Sequence, residues 1–241
     1  MKVVLEYDGS GFAGWQQQAH GRTVEAELKR ALFELTGVEH KVYAAGRTDS
    51  GAHAEGQVVS FQTDGRISPR RMVAALNARL PVDVAVLTAE EVPDGFHARY
   101  SARWRRYRYR YLDRRARPAL ERGRCWQVAG PLDVKAMSKG ARALVGKHDW
   151  TSYCSASEPP DGRVREMRSV KVVRRGEFVE LELEAEGFLR GLARSIAGAL
   201  ADVGRGRRPP EWVGEVLTAR DRRLAPRTAP AGGLTLVEVI Y

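Results

Sequence analysis

A chain of 241 residues is long enough to bury a core, either as one large domain or as two of ordinary size. Its formal charge of +10 and isoelectric point near 9.9 point to a polyanionic partner, nucleic acid or an anionic membrane surface, with an arginine-rich solvated surface as the plain alternative. Two cysteines, Cys125 and Cys154, exclude a disulfide scaffold and a Cys-x-x-Cys site, and no stretch nears the ~20 apolar residues of a membrane span, so a soluble, cytoplasmic protein that does not insert into a membrane is expected.

Val3-Val4-Leu5-Glu6-Tyr7 reads as an opening strand, followed by the turn-rich Asp8-Gly9-Ser10-Gly11. A helix comes next: Thr23 suits its N-cap, Glu25 and Glu27 its first turn, and Gly37 its stop, with Val24, Leu28, Ala31, Leu32 and Leu35 on one face. Residues 41–45 and 57–61 read as two strands around a glycine-rich loop that contains Arg47, Asp49 and His53. Ser68-Pro69 opens a second helix, with serine as cap and proline in the first turn, and Pro81 ends it. Residues 82–87 and 96–101 are β-like.

Arg105-Arg106-Tyr107-Arg108-Tyr109-Arg110-Tyr111, read as a strand, places Tyr107, Tyr109 and Tyr111 on one face and Arg106, Arg108 and Arg110 on the other. Such interleaving suits base stacking with phosphate contact, and it equally suits a tyrosine core face under a solvated arginine face. An arginine- and proline-containing connection follows, then a helix over residues 132–145 and a loop over 155–163 rich in serine and proline. Residues 169–174 and 177–184 form a hairpin through Arg175-Gly176. A helix over 188–203 carries the apolar stripe Phe188, Leu192, Ile196, Ala199 and Val203, with Arg190 and Arg194 opposite it; a helix near 211–219 and a closing strand over 234–241 complete the chain.

The charge is uneven. Residues 1–103 carry 12 Lys+Arg against 13 Asp+Glu and residues 104–241 carry 28 against 17, that is −1 and +11. The order strand, acidic glycine turn, phenylalanine, helix occurs in residues 3–35 and again in 179–203. Together these suggest an N-terminal α+β half, 1–103, and a C-terminal basic α+β half, 104–241.

Three chemistries can be compared for the Asp49 loop. A metallohydrolase could draw on Asp49, His53 and Glu55, although Arg47 would repel the cation and no His-x3–5-His spacing supports it. A phosphate-binding loop would need Gly-x4-Gly-Lys-Ser/Thr, which is absent. A nucleophilic carboxylate needs no metal or cofactor, and a turn-capping aspartate paired with Arg47 has no chemistry at all.

Ala45-Gly46-Arg47-Thr48-Asp49-Ser50-Gly51-Ala52-His53-Ala54 resembles the signature of the tRNA pseudouridine synthase A family. The resemblance extends through Glu6-Tyr7-Asp8-Gly9, Gly14-Trp15-Gln16, Asn77-Ala78-Arg79-Leu80-Pro81, Phe96-His97-Ala98-Arg99, Arg106-Tyr107-Arg108-Tyr109, His148-Asp149-Trp150-Thr151-Ser152 and Arg194-Ser195-Ile196-Ala197-Gly198, in family order. Ala52 stands where valine is usual and Leu192 where methionine is usual, both apolar exchanges. The resemblance implies two pseudo-symmetric α+β halves forming one extended, mainly antiparallel sheet flanked by helices, with a central active-site cleft. It implies an isomerase that needs no cofactor and no metal, converts uridine to pseudouridine at positions 38, 39 and 40 of the tRNA anticodon stem-loop, and works as a homodimer. By the same resemblance Asp49 is the nucleophile, Tyr107 stacks on the target base and is a possible general base, and Arg194 pairs with Asp49. Arg47 contacts the backbone and the flipped nucleotide, and Leu234 is an apolar wall of the pocket.

Overall fold

Strand β1 (Lys2–Tyr7) buries Val3, Leu5 and Tyr7 on one face, as strict alternation requires. The computed structural model describes residues 1–63 and 67–241 and divides into two units, Met1–Arg103 with Leu236–Tyr241, and Trp104–Thr235.

In the first unit, α1 (Val24–Thr36) starts where Thr23 Oγ1 accepts the Ala26 N–H and ends at Gly37, whose φ of 73° is a left-handed stop. Strands β2 (Tyr43–Ala44) and β3 (His53–Ser60) flank the Asp49 loop, and α2 (Pro69–Asn77) and β4 (Val84–Glu90) follow. Proline stands in the first turn of α2, but the Ser68 side chain makes no capping bond. β1 pairs antiparallel with β3 on one side and β4 on the other. α2 packs on β4 and on α1. Residues 96–101, expected to be extended, instead form turns. Ser101 N–H returns to the His97 carbonyl, and His97 Nδ1 accepts the N–H groups of Arg99 and Tyr100, which removes the donors a ladder would use.

The second unit begins with β5 (Trp104–Leu112), joined in parallel by the two-residue β6 (Trp126–Gln127). Helix α3 (Val134–Ala141) is shorter than the sequence suggests: a 3-10 turn over Arg142–Leu144 closes it, and Gly146, at φ 118°, opens β7 (Gly146–Asp149). β8 (Val164–Arg175) and β9 (Phe178–Ala185) form the expected hairpin, with Gly176 at φ 61° in the turn. Their order is β5-β9-β8-β7, antiparallel throughout. Helix α4 (Leu192–Gly204) is buried on nearly every side, and α5 (Trp212–Ala219) precedes β10 (Leu234–Ile240). Residues 236–240 of β10 lie beside β3, completing the first unit's order β4-β1-β3-β10, and Ile240 accepts the Arg103 N–H. Each unit is thus a mainly antiparallel sheet flanked by helices, an α+β architecture.

Helix α4 departs from the expected start at Phe188. Gly191 sits at φ 78° and breaks the helical path, so Arg190 lies outside the helix and its N–H goes to Glu158 Oε1. Arg190 and Arg194 therefore do not share a helix face. The alternation of β5, by contrast, is resolved by its neighbours. Tyr109 and Tyr111 are fully buried, and burial holds both phenols well above their usual range, so each remains a donor: Tyr109 Oη to the Pro230 carbonyl and Tyr111 Oη to that of Ala197, both 2.8 Å. On the other face Arg106, Arg108 and Arg110 stand opposite Glu184, Glu182 and Glu180 of β9. Ion pairs join Arg106 to Glu184 at 2.8 Å and Arg110 to Glu180 at 3.6 Å. At these positions the pattern serves packing and charge matching. Tyr111→Phe is expected to lower stability by about 1 kcal/mol, read as a shift of the urea midpoint at constant slope.

Candidate active site

The Asp49 loop is short because β3 starts at His53, four residues earlier than periodicity alone suggests. Its backbone is tied down from end to end. The Ala45 N–H donates to Val58 and the Gly46 carbonyl accepts Gln57 Nε2 at 2.7 Å. Thr48 accepts the Trp15 N–H on its carbonyl, and its Oγ1 lies 2.7 Å from Tyr7 Oη. Asp49 then opens a tight turn, its carbonyl accepting the Ala52 N–H at 3.0 Å, with Gly51 at φ 80° supplying the left-handed position that the turn needs. Ser50 Oγ and Gly51 N–H both reach the Phe12 carbonyl. Asp49 is half-buried, Arg47 exposed and Thr48 buried.

Two glycines make this docking possible. A Cβ on Gly9 would overlap the Ala52 carbonyl, and one on Gly14, at φ 104°, would come within 2.9 Å of the Thr48 carbonyl. Residues 9–15 can therefore lie flat against the loop, backbone to backbone. Below them Tyr7 is fully buried, and burial pushes its phenol up to about 12, against the opposing hydrogen bonds of Thr48 and Gln57. It stays protonated at neutral pH as a fixed partner for Thr48. His53, buried, accepts the Gly9 N–H on Nδ1 at 3.1 Å and lies 3.2 Å from Asp8 Oδ1. That engagement gives it a structural place, and among the described residues no group of three His, Cys, Asp or Glu side chains is placed to hold a metal ion.

The other residues singled out in the sequence belong to the second unit. Tyr107, on β5 opposite Leu183, is 5% exposed and its ring meets Phe188 edge-on, centroids 4.6 Å apart. Arg194 stands in the first turn of α4. Its Nε donates to the Ala229 carbonyl at 2.8 Å while its own carbonyl accepts the Ala229 N–H at 3.1 Å, a reciprocal clamp that sets the guanidinium's direction. One turn on, Gly198 lets the segment 227–229 approach, since a Cβ there would overlap the Arg227 carbonyl. Leu234, buried, begins β10 directly after Gly233, which presses on the Tyr109 ring.

Arg47 and Asp49 thus share one loop of the first unit, and Tyr107, Arg194 and Leu234 are built into the second. The residues that support them, Tyr7, Gly9, Gly14 and Gln57 in the first unit and Phe188, Gly198 and Ala229 in the second, carry no catalytic or binding role in the sequence reading. Glu6-Tyr7-Asp8-Gly9 and Gly14-Trp15 stood out only as motif blocks, and nothing local reveals that they form the floor of the Asp49 turn. Chemically, the first unit offers a carboxylate on a turn without slack, and the second a rigid aromatic ring and a clamped guanidinium. Among the described residues no helix is long and apolar enough to cross a membrane.

Comparison with known proteins identifies the family. A family model described as tRNA pseudouridine synthase matches residues 3–101 and 141–241. The tRNA pseudouridine synthase A of Moorella thermoacetica is 45% identical across 100% of this chain and 99% of its own length. That of Myxococcus xanthus is 43% identical across 100% of this chain and 91% of its own, and that of Methylococcus capsulatus 44% identical across 100% and 90%. With this much of the chain matched at these identities, it belongs to the tRNA pseudouridine synthase family.

Proposed function

We propose that this chain is an isomerase that converts uridine to pseudouridine at positions 38, 39 and 40 of the tRNA anticodon stem-loop, with Asp49 as its nucleophile. The observation that carries the reading is the Asp49 turn, a half-buried carboxylate on a loop tied by hydrogen bonds to Tyr7, to residues 12–15 and to residues 57–58, in a chain of this family. A nucleophile on so rigid a loop gains from being held in place before the substrate arrives.

The reaction needs nothing beyond the substrate's own atoms. A stem uridine must first leave its stack, at a cost of a few kcal/mol. The bond from the sugar C1′ to uracil N1 then breaks with Asp49 taking part, the detached ring turns in place, C5 bonds to C1′, and the C5 proton departs while N1 ends protonated. Tyr107, whose ring meets Phe188, stacks on the target base, and in this reading its hydroxyl serves as a general base for that proton. Arg194 pairs with Asp49. Arg47 contacts the backbone of the flipped nucleotide, and Leu234 is an apolar wall. The +11 balance of residues 104–241 supplies the attraction for phosphate, and the enzyme acts in the cytoplasm as a homodimer.

The decisive test is incubation of the chain with an unmodified tRNA transcript, followed by position-resolved detection of pseudouridine with and without EDTA. Pseudouridine at positions 38–40 that survives EDTA is expected; RNA binding with no altered base, or RNA cleavage, would sink the reading. Tyr107→Phe is expected to keep tRNA affinity within about two-fold, because the ring still stacks, and to lower kcat by about 10²-fold. Equal kcat for the two would leave stacking as the tyrosine's whole contribution.

A further inference from the structure

Besides the Asp49 loop, the first unit carries a series of aromatic rings that its core does not use. Tyr43 on β2, His97 and Tyr100 lie in contact, with centroid separations of 4.5 Å from Tyr43 to His97 and 4.4 Å from His97 to Tyr100, tilted by 45° and 37°. Tyr100 is 76% exposed and Tyr43 39% exposed. A single exposed tyrosine is unremarkable; three rings in series, brought together from two distant segments, are not explained by chance exposure.

The series is rigidly built. Tyr43 pairs with Ser60, and Ser60 Oγ accepts the Ala98 N–H at 3.0 Å, which joins the two segments through one buried hydroxyl. The Ala98 carbonyl accepts Tyr241 Oη at 2.8 Å. His97 Nδ1 accepts the N–H groups of Arg99 and Tyr100, at 3.1 and 3.4 Å, so its ring cannot turn without breaking the loop. Rings fixed in this way lose little freedom when a flat partner settles on them.

The two segments that supply the rings carry charge of one sign. Residues 41–47 and 96–103, which supply the rings, contain Lys41, Arg47, Arg99 and Arg103 and no carboxylate, whereas the rest of residues 1–103 holds 8 Lys+Arg against 13 Asp+Glu. The Arg99 guanidinium itself lies 5.6 Å from the Tyr100 ring centroid. Aromatic faces next to cations are what an unpaired nucleotide recognises, the base by stacking and the phosphate by charge.

Building on the tRNA reading above, we propose that Tyr43, His97 and Tyr100 form a stacking platform for an unpaired base of the substrate RNA, with Arg99 on the adjoining phosphate. The occupant is a nucleotide separate from the uridine that reacts, and the platform sets how the RNA is seated.

The test compares wild type with Tyr100→Leu and Tyr100→Phe, measuring affinity for an unmodified tRNA transcript across a salt series, mass by light scattering, and the unfolding midpoint. Tyr100→Leu is expected to weaken binding about tenfold or more, while the slope of log affinity against log salt, the mass and the midpoint stay as in wild type. Tyr100→Phe is expected to bind as wild type does. Unchanged affinity in Tyr100→Leu overturns the platform, and so does a change confined to mass, which would make the rings a contact between copies of the chain. Pseudouridine formation by wild type is assayed on the same preparations. If wild type makes none, the isomerase reading fails; if it makes pseudouridine and Tyr100→Leu binds normally, only the platform fails.

Discussion

Asp49→Asn is expected to abolish pseudouridine formation, with a loss of at least about 10³-fold, while tRNA affinity stays within a few-fold. The substitution keeps the size and planarity of the side chain and removes its nucleophilic oxygen. Backbone groups make the bonds that shape the turn, Asp49 carbonyl to Ala52 N–H and Thr48 carbonyl to Trp15 N–H, so the loop should keep its form. Binding is expected to be spread over many phosphate contacts, so that no single carboxylate sustains it. Single-turnover assays at saturating enzyme, with affinity measured in parallel, separate the two effects. Turnover at the wild-type rate would remove Asp49 from the chemistry, and a large loss of affinity would make its role one of binding.

Gly9→Ala is expected to damage the same loop without touching a reacting group. The added methyl would overlap the Ala52 carbonyl, and both sides of that contact are backbone, so neither can turn aside as a flexible side chain would. A loss of about 3 kcal/mol and a fall of about 6–12 °C in Tm follow, with activity reduced because the Asp49 turn closes on Ala52. Gly37→Ala is the control. Nothing lies within 4 Å of its Cβ, and its φ of 73° alone should cost about 1 kcal/mol, with no effect on activity in the folded enzyme. Equal Tm values for the two variants would refute the steric account of Gly9.

Much of the local structure was legible because its causes are local. Thr23 and Gly37 bound α1 through their own side chain and backbone, and the alternation in β5 separates Tyr109 and Tyr111 from the arginines through the two-residue pleat. Errors arose where a distant or side-chain partner intervened. His97 Nδ1 captures two backbone donors and turns residues 96–101, and Gly191 delays α4 so that Arg190 never joins Arg194 on a helix. Strands β6 and β7, of two and four residues, exist only because β5 and β8 pair with them; such lengths hold too few residues for a period to register.

The sequence by itself determined the chemical inventory: a carboxylate in a glycine-rich turn, a tyrosine in an arginine-laced strand, an arginine at the head of an apolar helix, and the family they resemble. Identity, turn propensity and periodicity reside in neighbouring residues, and a chain can be read for them one window at a time. Only the tertiary structure decided what holds each group still. Tyr7, Gly9, Gly14 and Gln57 become the floor of the Asp49 turn, Ala229 clamps Arg194, Glu180 and Glu184 neutralise arginines that could have met phosphate, and Tyr43 joins His97 and Tyr100. Each of these is a contact between segments far apart in the chain, fixed by backbone approach and strand register, and such distances have no signature in a local window.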